Sequence, residues 1–156
     1  MRRSLLVVLL ALSCAVQRSE PSAEGAWAAA VDRLRHSADA SLEARRLDDA
    51  EAELRRLLAL PAPAGLPRSG ELLQDAHFAL GRVLLLQRRF ELALAEADVG
   101  LGLTPERTVF RANLHALRAM AWEALGRPTE AVADYEAALQ IHKALFDEAL
   151  IGKDDG

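Results

Sequence analysis

Cysteine is nearly absent from this 156-residue chain, with Cys14 its only example. No internal disulfide can staple the fold, and no thiolate-rich metal site can form. Aromatic residues make up 4%, and Ile, Val and Thr together number 13. A sheet needs such residues on its pleated faces, so all-β and α/β folds are excluded. Positive charge is not in excess either: 19 Lys and Arg stand against 23 Asp and Glu, a net charge of −4. Sequence-independent nucleic-acid binding needs a concentrated basic face, so no nucleic-acid partner is expected. In their place come 31 Ala and 29 Leu; with Glu, Lys and Arg they form 59% of the chain. That mixture predicts an all-α protein.

The amino terminus has the layout of an export signal. Met1-Arg2-Arg3 is a short positive region, followed by the apolar run Ser4 to Val16 and then polar residues from Gln17. Thirteen residues are too few to cross a bilayer, which takes about 20, but they suit the apolar part of a cleaved signal peptide over 1–13. The stretch Leu10-Ala11-Leu12-Ser13-Cys14 resembles the bacterial lipobox. That resemblance implies a diacylglycerol-modified Cys14 holding the chain to a membrane, on the periplasmic face or outer membrane of a bacterial envelope. It departs from the usual order, having Ala11 where Leu is common and Leu12 where a small residue is. Ordinary cleavage after Ser13 or Ala15 would instead release the chain to the periplasm or outside. An uncleaved apolar anchor is the third reading. Residues 14–25 read as a tether, with Pro21 and Gly25.

Helical patterning then alternates with turn signals across a domain of 26–151. Trp27, Val31, Leu34, Ala38 and Leu42 share one face of a first helix over 26–44. A second covers 48–60, before the Pro61–Pro67 stretch that cannot be helical throughout. A third spans about 70–87 and a fourth 89–101, ended by Gly100 and Gly102. The Thr104-Pro105-Glu106 signature opens a fifth over 105–125. A sixth begins at Pro128, with Ala131, Val132, Tyr135, Ala138 and Leu139 inward, and continues to about Leu150. The tail 152–156 reads as disordered.

Three turns align: Arg45-Arg46-Leu47, Arg88-Arg89-Phe90 and Gly126-Arg127-Pro128, each followed by a small residue at one point, Ala50, Ala93 and Ala131. Within unit 74–107 stand Leu80-Gly81, Phe90, Ala93, Gly100 and Pro105. Within unit 112–145 stand Ala119, Trp122, Gly126, Ala131, Tyr135 and Ala138, although Lys143 replaces the closing Pro. These positions resemble the tetratricopeptide (TPR) repeat, a 34-residue helix–turn–helix unit. Unit 31–64 fits less well: Ala38 and Ala50 agree, but Ser37 and Ser41 occupy apolar positions. The resemblance implies antiparallel helix pairs stacked as a short right-handed solenoid of about three repeats. Small residues should let the helices of a pair approach, as at Gly81 against Ala93.

No catalytic constellation is evident. His36, His77, His115 and His142 have no metal-ligand spacing, and no Gly-rich phosphate loop or nucleophile motif occurs. Neither a cofactor, a metal nor an enzymatic activity is expected. What the resemblance implies is protein or peptide binding in a concave groove. By repeat register its positions are Arg35 and Asp39 in the first unit, Asp75, Phe78 and Arg82 in the second, and Asn113, Met120 and Glu123 in the third. The Lys and Asn set with which some members clamp terminal carboxylates is missing. After the sixth helix no capping helix follows, so Leu145, Phe146, Ala149 and Leu150 are expected to form an exposed stripe for a homodimer or a partner. The expected function is an envelope-anchored adaptor that assists assembly of an envelope complex. The alternatives are a free periplasmic or secreted domain and, more distantly, a helical bundle holding a small ligand or an enzyme.

Overall fold

The structure, a computed structural model, describes residues 22–66 and 69–151. The export segment, Cys14, the tether up to residue 21 and the tail 152–156 lie outside the described residues. Six helices follow in order: α1 Ala23–Glu43, α2 Leu47–Leu58, α3 Ser69–Leu86, α4 Phe90–Leu103, α5 Val109–Ala124 and α6 Pro128–Ile151. They pack as the pairs α1/α2, α3/α4 and α5/α6, and successive pairs meet through α2 on α3 and α4 on α5. α3 also rests directly on α5, whereas α1 has no comparable backbone contact with α3.

One turn geometry closes all three pairs. The middle residues Arg45, Arg88 and Gly126 take left-handed φ values of 57°, 61° and 72°. The next amide then reaches back six residues, counted inclusively: Arg46 N to Ser41 O and Arg89 N to Leu84 O at 2.8 Å, Arg127 N to Trp122 O at 2.9 Å. This is the Schellman ending of a helix, which satisfies carbonyls the helix leaves open. Only the third turn carries glycine, the residue that adopts this φ without steric cost.

The small residues mark where backbones come close. Ala38, Gly81 and Ala119 are buried in register, as are Ala50, Ala93 and Ala131. The expected partner of Gly81 is corrected, however. A Cβ built on Gly81 would overlap Leu117 Cδ2, with Leu117 Cγ 3.2 Å away, so its closest approach is to α5 rather than to Ala93. Gly81 therefore governs the stacking of units. Gly100, expected to end α4, is instead buried within it: its Cβ would lie 2.8 Å from Leu114 Cδ1 and 3.1 Å from His77 Cβ.

Other boundaries also move. α1 starts at Ala23 because the Ser22 hydroxyl accepts from Gly25 N at 3.1 Å, so the last tether residues are helical. α5 starts at Val109, capped by Thr108 accepting from Arg111 N at 3.2 Å. The Thr104-Pro105-Glu106 signature lies in the connection. There Thr104 is extended, and its carbonyl accepts from Gln74 Nε2 at 3.4 Å and Arg111 Nη1 at 3.0 Å. Those two side chains also hold Gly100 O and Leu101 O, which supplies the carbonyls at the end of α4 with donors and leaves no backbone for an earlier restart. On α6, Val132, Tyr135 and Leu139 are not inward but 54%, 38% and 69% exposed, because no later helix covers that side among the described residues.

Candidate partner-binding groove

Two polar rungs link the helices within pairs. His77 Nδ1 lies 2.8 Å from Glu96 Oε2, and His115 Nδ1 lies 2.9 Å from Asp134 Oδ1, at the same places in consecutive units. Arg118 adds two bonds of 2.7 Å to Asp134 and one of 2.6 Å to Asp98, tying α5 to both α6 and α4. Burial pushes the Asp134 carboxyl up, but the bonds from Arg118 and His115 prevail and hold it below the usual carboxylate value. Both His are half-buried and serve packing between helices. Among the described residues no group of three or more His, Cys, Asp or Glu is placed to hold a metal ion.

A different surface forms where α1 faces α3. Arg35 donates from Nη1 to Asp75 Oδ2 at 2.6 Å and to Asp75 O at 3.3 Å, and from Nε to Asp39 Oδ2 at 3.3 Å. Burial raises the Asp75 carboxyl above its ordinary value; Arg35 and Arg82 pull it down and Asp39 pushes it up, leaving it raised. Arg82 lies over the Phe78 ring, 5.7 Å from its centre. Of the five groove positions expected of the first two units, Phe78 and Arg82 form a separate pair further along α3, and Arg35, Asp39 and Asp75 form one bonded group.

Next to them opens a cleft of about 270 Å³. Its apolar lining comes from Ala28 and Val31 of α1, Leu57 of α2, and Leu72 and Ala76 of α3; Asp32, Arg35 and Asp75 supply the polar edge. Trp27, at the start of this segment, is 6% exposed, and its Nε1 has no hydrogen-bond partner among the described residues. The third unit does not join this group. Asn113 is half-buried and Met120 is 38% exposed on α5. Glu123 accepts from Tyr135 Oη at 2.6 Å, across to α6, and that bond is the main reason the Tyr135 phenol is pushed up to about 12.

Of the residues that line the cleft, register singled out Arg35 and Asp75 but not the apolar ones, although a signal for those exists. Ala76 corresponds to Leu114 one unit later, and Arg35 to Phe78. Leu114 is fully buried against Gly100, with Phe78 packed on its cluster, whereas in the first unit the position of Gly100 is held by the buried Leu57.

No family model matches the chain, and no curated protein matches it. A solved structure does: a TPR-like protein from Chlorobium tepidum, 22% identical, covering 76% of this chain and 82% of that one with a TM-score of 0.59. The fold is TPR-like. Six helices in three stacked antiparallel pairs, with repeated turns and small buried positions, give that likeness its physical content. Of the described residues, no TPR-like helix is long and apolar enough to cross a membrane.

Proposed function

We propose that this chain is a non-catalytic interaction module that holds a segment of another polypeptide on the face formed by α1, α3 and α5. The observation that carries the reading is the unfilled apolar cleft between α1 and α3, beside the bonded Arg35, Asp39 and Asp75. Concave sites with an apolar floor and a few placed polar groups are where ligands bind. The test is a photo-reactive amino acid at Phe78 or Arg82, with Ala95 on the exposed side of α4 as control, in cells making the protein at native level. A discrete adduct with one polypeptide from the first two positions and none from Ala95 is expected. Equal or absent labelling would refute the assignment.

The apolar run before Cys14 supports export, and the lipobox likeness places a membrane anchor on Cys14 Sγ. A chain cut after Ser13 or Ala15 and free in the periplasm or outside is the other form of the same export reading, and among the described residues no helix is long and apolar enough to cross a membrane. Intact mass of the chain from its own host separates them. A mature chain starting at Cys14 and heavier by acyl groups is the anchored form, an adaptor within an envelope complex; a chain starting at Cys14 or Val16 without added acyl mass is the free one.

α6 supplies a second contact face, proposed to pair with another copy. Phe146 and Leu150 are 63% and 52% exposed, Ala149 is exposed, and Leu145 is half-buried rather than open. Val132, Tyr135 and Leu139 extend the same stripe. Light scattering should give a dimer that Phe146→Asp dissociates. A monomer at high concentration would end this proposal.

A further inference from the structure

The first seam is built for one kind of side chain. Its volume of about 270 Å³ falls below the roughly 300–1,000 Å³ of pockets that engulf whole small molecules. It suits a single apolar side chain set between Val31, Leu57, Leu72 and Ala76. Large and small residues are exchanged between the two seams: Ala76 and Leu57 of the first stand where Leu114 and Gly100 stand in the second, so here Leu57 and Ala76 form a buried floor between Val31 and Leu72.

Charge around the opening is unequal. Asp32, Asp39 and Asp75 surround one guanidinium, Arg35, which Asp39 and Asp75 already share. Asp32 is 72% exposed, and its described partner is His36 at 3.3 Å. Arg82 acts on Asp75 through space while its own guanidinium rests over Phe78. An incoming carboxylate would meet three acids and find Arg35 occupied, whereas an incoming cation would find Asp32 exposed at the edge of the cleft and Asp39, half-exposed, sharing Arg35 with Asp75.

We propose that this cleft selects a polypeptide segment carrying one aliphatic or aromatic side chain beside a lysine or arginine, the apolar group entering between α1 and α3 and the cation lying against Asp32 and Asp39. The inference rests on the α1–α3–α5 face being a polypeptide-binding surface, and it adds which segment is taken and by which seam.

The experiment is selection of a random twelve-residue peptide library displayed on phage against the full chain, followed by affinity measurement of the enriched peptides. Enrichment of Leu, Ile, Met or Phe next to Lys or Arg is expected. Ala76→Leu, which adds bulk to the floor beside Leu57, should weaken the winning peptide at least tenfold, with the circular dichroism spectrum unchanged. Leu72→Ala, at a 40% exposed wall position, should weaken it several-fold without challenging the fold. Asp32→Lys, at an exposed position, should shift the selected charge from basic to acidic. Peptides that bind the α1–α3–α5 face, protect Phe78 and Met120 from labelling, and yet show no basic preference or ignore both seam variants would overturn this inference and leave the binding face standing. Failure to select any peptide at that face would overturn both.

Discussion

Replacing Gly81 by alanine separates local helix preference from packing between units. In an exposed helix interior this change stabilises by about 1 kcal/mol, because alanine costs less backbone entropy. Here the new methyl would collide with Leu117, three of whose side-chain atoms stand within contact range in a fully buried site. Overpacking of this kind costs about 1–3 kcal/mol. Gly81→Ala should therefore destabilise by about 1 kcal/mol net. Leu117→Ala alone should cost about 2–5 kcal/mol through lost burial and the cavity left behind. In that cavity the Gly81→Ala methyl is no longer crowded, so the same change should now stabilise by about 1 kcal/mol. The sign reverses between backgrounds, with a coupling of about 2 kcal/mol. Urea unfolding followed by far-UV circular dichroism measures all four chains. Because Gly81 and Leu117 belong to different units, Gly81→Ala should also lower the m-value as the third unit uncouples. An equal effect of Gly81→Ala in both backgrounds would refute the claim that this glycine sets the stacking distance.

Three further outcomes follow from particular contacts. Asp134 is buried and held below the ordinary carboxylate value, so its stabilisation is present above the unfolded-state pKa of about 3.9 and is lost as pH falls through its lower folded value. Asp134→Asn should cost about 3 kcal/mol at neutral pH by leaving Arg118 and His115 short of their anion, and should flatten the acid limb of a plot of urea midpoint against pH. Gly126→Ala meets no atom within 4 Å, so its cost is the left-handed φ of 72° alone, about 1 kcal/mol in thermal unfolding. Arg88→Gly at the equivalent turn should be neutral or stabilising by up to about 1 kcal/mol, since relief of its φ of 61° competes with added unfolded-state freedom; a clear loss would mean that its contact with the Phe90 ring outweighs the strain.

Composition and periodicity determined much of this protein before any coordinates. Helical residues in abundance and β-branched ones in short supply leave only helices, and the aligned turns at Arg45, Arg88 and Gly126 announce three pairs, because a tight reversal imposes the same backbone at the same step each time. The register also named Arg35, Asp39 and Asp75, which hydrogen bonds join between α1 and α3, since residues at equivalent helix positions project alike. Tertiary structure decided what depends on neighbours distant in sequence. A capping signature at Thr104 lost to Thr108 because Gln74 and Arg111, from other turns of the chain, hold the end of α4. Gly81 faces Leu117 rather than Ala93, Glu123 turns away to Tyr135, and Val132 and Leu139 meet solvent although their periodicity is that of a buried face. Periodicity says which side of a helix is apolar, whereas only the arrangement of the other helices says whether anything lies against it. The first seam is a further instance: Ala76 with Leu57 and Leu114 with Gly100 occupy the same two positions in opposite order, and only the packed helices show that the first arrangement leaves a cleft.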